Sequence, residues 1–407
     1  MRILHTSDWH LGKRLESFSR LDEQQEVLSE ICDIAEKEQV HVVLISGDLF
    51  DTFNPSTEAV DLFYRTLKRL ANNGRRAVIA IAGNHDSPDR IEAPDPLARE
   101  CGILFVGYPN STINPFKLDS GLEVIQSEQG FIELKVPEAT ELLRLILTPY
   151  ANEFRLRTFL GNENPEEELR MILKGKWQET ASRFCDDKGV NILSAHLFMM
   201  KEGEEQPEEP EDEKPVLYIG GAQPVFSKDI PEAIQYVALG HLHRKQIIDN
   251  NHCPVIYSGS PLAYSFGEAN QDKFVVCINA EAGKNAEFTE IQLEKGKRLL
   301  RKRFEDVDVA VEWLIQNPDP FVELTMVSET YLSSTDRKRL YEAHEGIVTL
   351  IPEVLHQNPD EVEASSNIEL SKSMDELFKD FFLSRKGQEP NDRLMNLFKE
   401  VLSEEEL

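Results

Sequence analysis

Five short stretches of this sequence place acidic, amide or histidine side chains immediately after apolar runs. The first is Asp8-Trp9-His10, which follows the N-terminal apolar segment beginning at Ile3. A carboxylate and an imidazole two residues apart can turn toward one point, and Asp oxygen together with His nitrogen suits Mn, Zn and Fe. Alone, the D-x-H pattern is common, and a polar loop explains it at least as well.

The other four stretches repeat this arrangement further along the chain. Each comes where a buried strand is predicted to end, and the residues concerned are Asp48, Asn84 with His85, His196, and His241 with His243. Loops at one edge of a parallel sheet are neighbours in space. Convergence of these side chains is therefore the economical hypothesis.

Seven of these side chains are of ligand type, namely Asp8, His10, Asp48, Asn84, His196, His241 and His243. They are too many for one tetrahedral zinc site. They suit two divalent ions that share a carboxylate and lie ~3.5–4 Å apart, as in phosphatases and nucleases. Asp48 is the natural bridge, because a carboxylate can give one oxygen to each ion.

The elements that must position these residues alternate between strands and helices. Periodicity predicts helices over Leu21–Gln39 and Thr57–Ala71, and apolar runs predict buried strands over Val40–Ser46 and Ala77–Ala82. This βαβαβ pattern favours a largely parallel sheet that is covered on both faces. Further predicted elements are strands over 104–107, 122–126, 132–136, 143–147, 190–195, 236–239, 254–257 and 274–279 and a helix over 165–186.

The composition bounds the class of protein. The chain has 407 residues and a net charge of −29, from 44 basic and 73 acidic residues. This charge argues against nucleic-acid binding over the whole surface, although bound metal cations can neutralise a site locally. The sequence has no apolar run long enough to span a bilayer and no signal-peptide pattern. Its five scattered cysteines indicate reduced thiols of a cytoplasmic protein, with no membrane partner.

Two charged runs stand out along the chain. Residues 201–214 are acidic and contain proline, which predicts a solvated loop. The run from Lys295 to Arg303 is basic at six of nine positions: Lys295, Lys297, Arg298, Arg301, Lys302 and Arg303. We hypothesise that this run contacts the DNA backbone. A charged surface strand and linker is the alternative, and the sequence leaves both open.

The motifs taken together resemble those of calcineurin-like metallophosphoesterases. D-x-H, G-D-x-x-D, G-N-H-D, a lone histidine and G-H-x-H occur in this order. Within that superfamily the chain resembles the SbcD family, the nuclease subunits of bacterial SbcCD complexes, through HTSDWHLG, GDLFD, AGNHDS, VALGHLHR and YSGSP. The resemblance covers the whole chain, by motif to about Glu268 and by layout afterwards.

This resemblance implies an α/β fold with four parts. A sandwich of two mixed β-sheets flanked by helices forms a metallophosphoesterase nuclease domain over 1–280. A small α+β capping domain follows over 281–357, with predicted helices over 309–316 and 334–343 and strands over 321–327 and 347–351. A polar linker over 358–372 leads to a helical segment over 373–407.

The resemblance also assigns roles to single residues. It implies that Asp8, His10, Asp48 and His243 hold one ion and that Asp48, Asn84, His196 and His241 hold the other, with manganese as the metal. His85 is then placed to stabilise or protonate the leaving group. Asp51 resembles the carboxylate that orients this histidine, and capping of the following turn is the alternative.

The C-terminal segment is predicted to contain two amphipathic helices. Ser373 and Glu376 have the spacing of a capping box, and the apolar faces carry Phe378, Phe381, Phe382, Leu397 and Phe398. Exposed aromatic surface of this extent needs a covering partner. The family resemblance implies that the segment grips the coiled-coil root of an SbcC-like ATPase, and docking onto its own domain is the alternative.

The expected function is that of a metal-dependent DNA nuclease. The family implies exonuclease action on double-stranded ends and endonuclease action on single strands or hairpins, in DNA repair, recombination and replication. It also implies a homodimer within a heterotetramer with the ATPase. A small-molecule or cyclic-nucleotide phosphoesterase is the alternative enzyme. A scaffold with a decayed site is a third possibility, but the seven ligand types and His85 are all present.

Overall fold

The computed structural model describes residues 1–160, 164–204, 225–328 and 332–354, with positions 376–379, 382, 390, 394–395 and 398 beyond them. The predicted linker over 358–372 lies outside the described residues, as do Phe381, Leu397 and residues 205–214 of the acidic run. Within the described part of the chain, we find no helix with the length and apolar character needed to cross a membrane.

The strands and helices follow in chain order. The strands are β1 (Arg2–Thr6), β2 (Arg14–Leu15), β3 (Phe18–Ser19), β4 (Val42–Ser46), β5 (Ala77–Ile81), β6 (Ile103–Val106), β7 (Phe116–Lys117), β8 (Glu123–Glu128), β9 (Phe131–Lys135), β10 (Leu142–Thr148), β11 (Gly189–His196), β12 (Met199–Met200), β13 (Val225–Phe226), β14 (Tyr236–Gly240), β15 (Gln246–Asp249), β16 (Val255–Tyr257), β17 (Phe274–Asn279), β18 (Glu287–Gln292), β19 (Leu299–Phe304), β20 (Phe321–Ser328) and β21 (Ile347–Val354). The helices are α1 (Leu21–Lys37), α2 (Thr57–Ala71), α3 (Pro88–Glu92), α4 (Asp95–Arg99), α5 (Glu153–Leu156), α6 (Pro165–Phe184), α7 (Val307–Gln316) and α8 (Ser334–Ala343).

A six-stranded sheet holds the N-terminal motifs. Its order is β18-β17-β1-β4-β5-β6, with β1, β4, β5 and β6 parallel and the hairpin β17–β18 antiparallel at one edge. The residues of β4 and β5 are all buried, as expected for strands that are covered on both faces. The parallel sheet predicted from the sequence is therefore correct for four strands. The hairpin carries the sheet past residue 280, where the predicted domain boundary lay.

An eight-stranded sheet faces the first one. Its order is β15-β16-β14-β11-β10-β9-β8-β7, and the strands β10, β11, β14 and β16 run parallel. Apolar residues of both sheets share one core, for example Ile3 and Leu44 with Leu145 and Ile192. Helices α1 and α2 cover the outer face of the first sheet, and α6 covers that of the second. This layering confirms the predicted sandwich of two mixed sheets flanked by helices.

A third, smaller sheet follows in the chain. Strands β19, β20 and β21 are parallel, and α7 and α8 pack on them through a separate core that contains Leu314, Leu324 and Leu340. The second half of the basic run is strand β19, so these residues belong to a regular element of the sheet.

Candidate metal centre

The ends of five strands bring the seven predicted ligands to one place. Asp8 follows β1, Asp48 follows β4 and Asn84 follows β5, all in the first sheet, while His196 ends β11 and His241 follows β14 in the second. The two sheets also touch at this edge, where Ser46 Oγ and Ser194 Oγ lie 3.0 Å apart. The centre therefore lies where the carboxyl ends of both sets of parallel strands meet.

One group of ligand atoms forms around His10. Its Nε2 lies 2.9 Å from Nε2 of His243 and 3.5 Å from Oδ2 of Asp48. Asp8, His10 and His243 each offer a ligand atom within 4.8 Å of the others, and all three residues are buried.

A second group forms around Asn84. Its Oδ1 lies 2.9 Å from Nε2 of His196 and 3.1 Å from Nδ1 of His241. Oδ2 of Asp48 lies 3.4 Å from Nε2 of His196. The same carboxylate oxygen therefore faces both groups.

The backbone at the centre is strained. Asp8, His10, Asp48 and His241 have φ of 53°, 43°, 48° and 115°, a region that residues with a Cβ rarely adopt. Strain of this kind persists only where the surroundings over-determine it, and it clusters at functional sites. Glycine at position 83 is needed for close packing, since a Cβ there would lie 2.1 Å from Oδ1 of Asp48.

The electrostatics favour a bound cation. Burial lowers the pKa of His241 to about 3 and that of His10 well below its usual value, so both imidazoles are neutral, which is the form that binds metals. Burial alone would also lower the pKa of His196, but the charges of Asp48 and Asp8 raise it to about 9. Without a metal, a proton on His196 therefore partly balances the two buried carboxylates.

These residues fit a pair of divalent ions. Nε2 of His10 and Nε2 of His243 face each other, and a proton between them can satisfy one nitrogen as donor and the other as acceptor, whereas a cation can bind both. Nδ1 of His10 is buried without a hydrogen-bond partner among the described residues. Carboxylate, amide oxygen and imidazole together suit manganese, iron and zinc. Asp8, His10, Asp48 and His243 could hold one ion, and Asp48, Asn84, His196 and His241 the other.

His85 lies beside the centre and is half-buried. Its backbone N–H donates to Oδ1 of Asp48 at 2.9 Å, and its ring packs against His10 with centroids 4.9 Å apart. Nδ1 donates to the backbone carbonyl of Asp51 at 2.8 Å, which leaves Nε2 available for proton transfer.

The expected role of the Asp51 carboxylate needs a correction. The contact that orients His85 comes from the Asp51 backbone, not from its side chain. The carboxylate accepts a hydrogen bond from Nζ of Lys13 at 3.0 Å and lies 3.8 Å from Nδ1 of His10. The chain turns sharply after Asp48, so the carbonyl of Asp51 faces His85 and its side chain points toward Lys13.

Comparisons with known proteins agree with this geometry. Residues 1–245 match the family model of calcineurin-like phosphoesterases. The SbcD subunit of the nuclease SbcCD from Bacillus subtilis is 37% identical to this chain over 412 residues, which cover 99% of this chain and 98% of the relative. The chain belongs to the SbcD family of calcineurin-like phosphoesterases. It is thus a metal-dependent hydrolase of phosphate esters.

Two further SbcD relatives support the same assignment. The SbcD subunit of the nuclease SbcCD from Rhodobacter capsulatus is 34% identical over 285 residues, covering 70% of this chain and 67% of the relative. That of Staphylococcus epidermidis is 25% identical over 417 residues and covers 100% of both chains.

Sequence reasoning missed three residues that support the centre in this SbcD-family chain. The first is Asp86, the last residue of the G-N-H-D motif. Its buried carboxylate accepts hydrogen bonds from the N–H groups of Leu49 and Phe50, both at 3.0 Å, and of Gly83 at 2.8 Å. Burial, together with the charge of Asp48, raises the pKa of Asp86 to about 6. Asp86 thus ties the Asp48 loop to the Asn84 loop, and its place in the motif was a usable signal.

The second missed residue is Arg155 in α5. Its buried guanidinium donates to the carbonyls of Gly83 at 2.7 Å, Asp86 at 2.8 Å and Asn84 at 3.4 Å. These carbonyls belong to the loop that carries His85, so Arg155 fixes that loop from outside. No local pattern in the sequence points to this arginine.

The third missed residue is Glu268. Its Oε1 lies 3.4 Å from Nδ1 of His243, and its Oε2 pairs with Nζ of Lys273. Burial alone would raise the pKa of Glu268, but Lys273 and His243 lower it well below its usual value. A carboxylate on the outer nitrogen of a metal-binding histidine fixes its tautomer and orientation. Glu268 is 25 residues beyond His243 and has no sequence signal.

The remaining predicted site residues lie on other elements. In the basic run, Arg301 donates to Glu323 at 2.7 Å, Arg303 donates to Glu353 at 2.9 Å, and Nζ of Lys302 lies 5.1 Å from the ring centroid of Trp313. Lys297 lies similarly over Phe321 at 5.0 Å, and Lys295, Lys297 and Arg298 line a cavity of about 340 Å³ between the first sheet and the third.

Three phenylalanines of the predicted partner-binding segment belong to the described residues. The ring of Phe378 stacks on that of Phe398 with centroids 3.9 Å apart and is tilted against Phe382 at 6.0 Å.

Proposed function

We propose that this protein is a DNA nuclease that uses two divalent ions, most naturally manganese, to hydrolyse phosphodiester bonds. The observation that carries the proposal is the position of Asp48, whose Oδ2 lies 3.5 Å from His10 Nε2 and 3.4 Å from His196 Nε2. Near-full-length similarity to nucleases of the SbcCD type supports DNA as the substrate.

Each group at the site has a task in this proposal. When bound, two ions polarise the phosphoryl oxygen and lower the pKa of the attacking water. His85 acts on the leaving oxygen through Nε2, because its Nδ1 is held by the carbonyl of Asp51. Asn84 contributes a neutral oxygen, so the centre does not become too negative for an incoming phosphate.

A comparison of substrates tests the proposal. The purified chain, with and without Mn²⁺, is given linear duplex DNA, single-stranded and hairpin DNA, bis-(p-nitrophenyl) phosphate and cyclic nucleotides. We expect Mn²⁺-dependent cleavage of DNA that EDTA abolishes. Turnover of cyclic nucleotides without cleavage of DNA would contradict the proposal and favour a small-molecule phosphoesterase.

We further propose that the segment over 373–407 binds a coiled-coil ATPase subunit of the SbcC type, and that the nuclease works with this partner as part of a dimeric complex. The relatives are named as subunits of such a complex. Phe378, Phe382 and Phe398 form an aromatic cluster that is only half-buried. Burying one such side chain contributes ~1.5–3 kcal/mol, so the cluster can hold a partner firmly.

Deletion of residues 373–407 tests the partner proposal. The truncated protein should bind metal, melt near the wild-type temperature and cut a simple DNA substrate, but it should lose ATPase binding and ATP-stimulated cleavage. Intramolecular docking predicts the reverse pattern, in which thermal stability falls while a pull-down with the ATPase still succeeds. A melting curve and a pull-down on the same preparation separate the two outcomes.

A further inference from the structure

Two exposed phenylalanines flank the short helix α5. Phe154 is 79% exposed and Phe159 is 70% exposed, which places both among the most exposed large apolar side chains of the described residues. They line a cleft of about 470 Å³ together with Tyr108, Arg157, Glu153 and Thr158. Solitary exposed apolar residues are ordinary, but two aromatic rings around one cleft indicate a contact surface.

This cleft is attached directly to the metal centre. The residue after Phe154 is Arg155, whose guanidinium holds the carbonyls of Gly83, Asn84 and Asp86. Any group seated on Phe154 therefore lies one residue away from the clamp on the Asn84–His85 loop. The position of the cleft relative to the catalytic loop is fixed by buried hydrogen bonds.

Rings and guanidinium groups alternate from the centre toward the cleft. The ring of Tyr150 lies 6.5 Å from that of His196, and the guanidinium of Arg155 lies 5.1 Å from the Tyr150 centroid. Further out, the guanidinium of Arg157 lies 5.5 Å from the centroid of Tyr108. Arg157 has φ of 54°, so its backbone accepts strain in holding this place.

The chemistry of this surface suits unpaired nucleotide bases. Aromatic rings stack on bases without regard to sequence, and arginine adds cation–π contacts and attraction to the backbone. Charge alone does not explain the surface, because Glu153 lines the cleft and Asp89 accepts the hydroxyl of Tyr108 at 2.8 Å. Bases within a duplex are stacked on one another and offer no free faces, whereas an unpaired strand does.

We propose that Phe154 and Phe159 stack on bases of an unpaired DNA strand and hold it beside the metal centre. This inference rests on the proposed nuclease function and names the form of substrate that the site takes. It assigns the SbcD-family chain a single-strand binding surface distinct from the metal ligands and from the basic run.

Binding of a fluorescent oligonucleotide tests this surface. The probe is a nuclease-resistant phosphorothioate single strand that contains 2-aminopurine, whose fluorescence falls on stacking, and a blunt duplex of the same sequence is measured beside it. In the full-length Phe154→Ala/Phe159→Ala protein, we expect the quenching to be lost and single-strand affinity to fall roughly 5- to 100-fold, since base–aromatic stacks are of this strength. Duplex affinity should change much less.

Two further variants keep the test decisive. Phe154→Trp/Phe159→Trp should retain the quenching, because indole also stacks, and Tyr341→Ala removes an aromatic that is 48% exposed on α8 and should bind as wild type. Unchanged single-strand affinity in the alanine variant overturns the inference, as does an equal loss on the duplex. If those results come from a chain that still cuts DNA, the proposed function stands. If wild-type protein cuts no DNA, the proposed function itself fails.

Discussion

The metal centre and strand β19 both carry dense charge, but they differ in whether that charge is balanced. At the centre, Asp8 and Asp48 are fully or almost fully buried, and several of the groups around them are histidines. On β19, Arg301 and Arg303 lie beside Glu323 and Glu353, with roughly half of each arginine side chain exposed. Buried carboxylates beside neutral imidazoles lack a cation, whereas the arginines already have anionic neighbours.

This difference separates two kinds of inference from charge. A buried carboxylate is costly unless it is paired or binds a metal, and the strained φ angles at Asp8, His10 and Asp48 add to that cost. Such an arrangement is informative because little besides function explains it. Exposed ion pairs, in contrast, contribute only ~0–1 kcal/mol, so they neither stabilise β19 greatly nor identify a ligand.

The largest expected effect comes from removing the shared carboxylate. Asp48→Ala should lose both ions, because Oδ2 of Asp48 faces both groups of ligands. Phosphodiesterase activity should then fall to the level seen with EDTA. Elemental analysis of the dialysed protein after Mn²⁺ loading gives the stoichiometry. A protein that keeps one tightly bound ion would show that Asp48 belongs to a single metal and that the comparison overstates its role.

The next effect comes from a residue beside the metals. His85→Ala should lower kcat by ~10²–10⁴-fold, the usual contribution of a general acid, while both ions remain bound. Metal analysis and kcat for DNA are measured on the same sample. His252→Ala removes an exposed histidine elsewhere and is the matched control. A metal-free His85→Ala protein would make His85 a ligand.

The sequence predicted the residues of the centre better than the residues that support it. Each predicted ligand followed a recognisable apolar strand, and helices α2 and α8 began and ended at their predicted residues. Arg155 and Glu268 reach the centre from distant parts of the chain, and their local sequence carries no periodicity or motif. Such contacts depend on tertiary packing and cannot be predicted from spacing along the chain.

Two strands were also missed for a physical reason. β18 lies at the edge of the first sheet, and four of its six residues, including Glu287 and Glu290, are not apolar, so its pattern resembles a polar loop. β19 is rich in basic residues and is held by parallel pairing with β20 and by packing of Leu299. Edge and surface strands are stabilised largely by their neighbours, which the sequence does not show locally.

A third, intermediate effect concerns Glu268. Glu268→Gln should weaken Mn²⁺ binding by ~10–100-fold, the usual cost of losing the partner of a metal-binding histidine. The variant also leaves Lys273 buried without its counter-ion, so Glu268→Gln/Lys273→Met should recover thermal stability but not metal affinity. Calorimetric titration with Mn²⁺ and a melting curve report the two quantities. Glu281→Gln, in an exposed pair with Lys284, is the control.

Recovery of metal affinity in the Glu268→Gln/Lys273→Met protein would contradict this role. It would mean that Glu268 serves only to balance Lys273, and that His243 needs no partner on its outer nitrogen.

The smallest expected effect lies on the basic run, and it tests the charge comparison within a single segment. Lys295→Gln/Lys297→Gln/Arg298→Gln removes the charges of the loop before β19, and Arg301→Gln/Lys302→Gln/Arg303→Gln removes those of the strand. Each phosphate contact that is lost should flatten the slope of log affinity against log salt by up to ~0.9. We expect the loop variant to flatten the slope more, because Arg301 and Arg303 already face carboxylates. Binding of a blunt duplex from low to moderate salt gives both slopes. A larger change in the strand variant would mean that DNA displaces Glu323 and Glu353 from their arginines, and an unchanged slope in both would leave the run as a charged surface strand and linker.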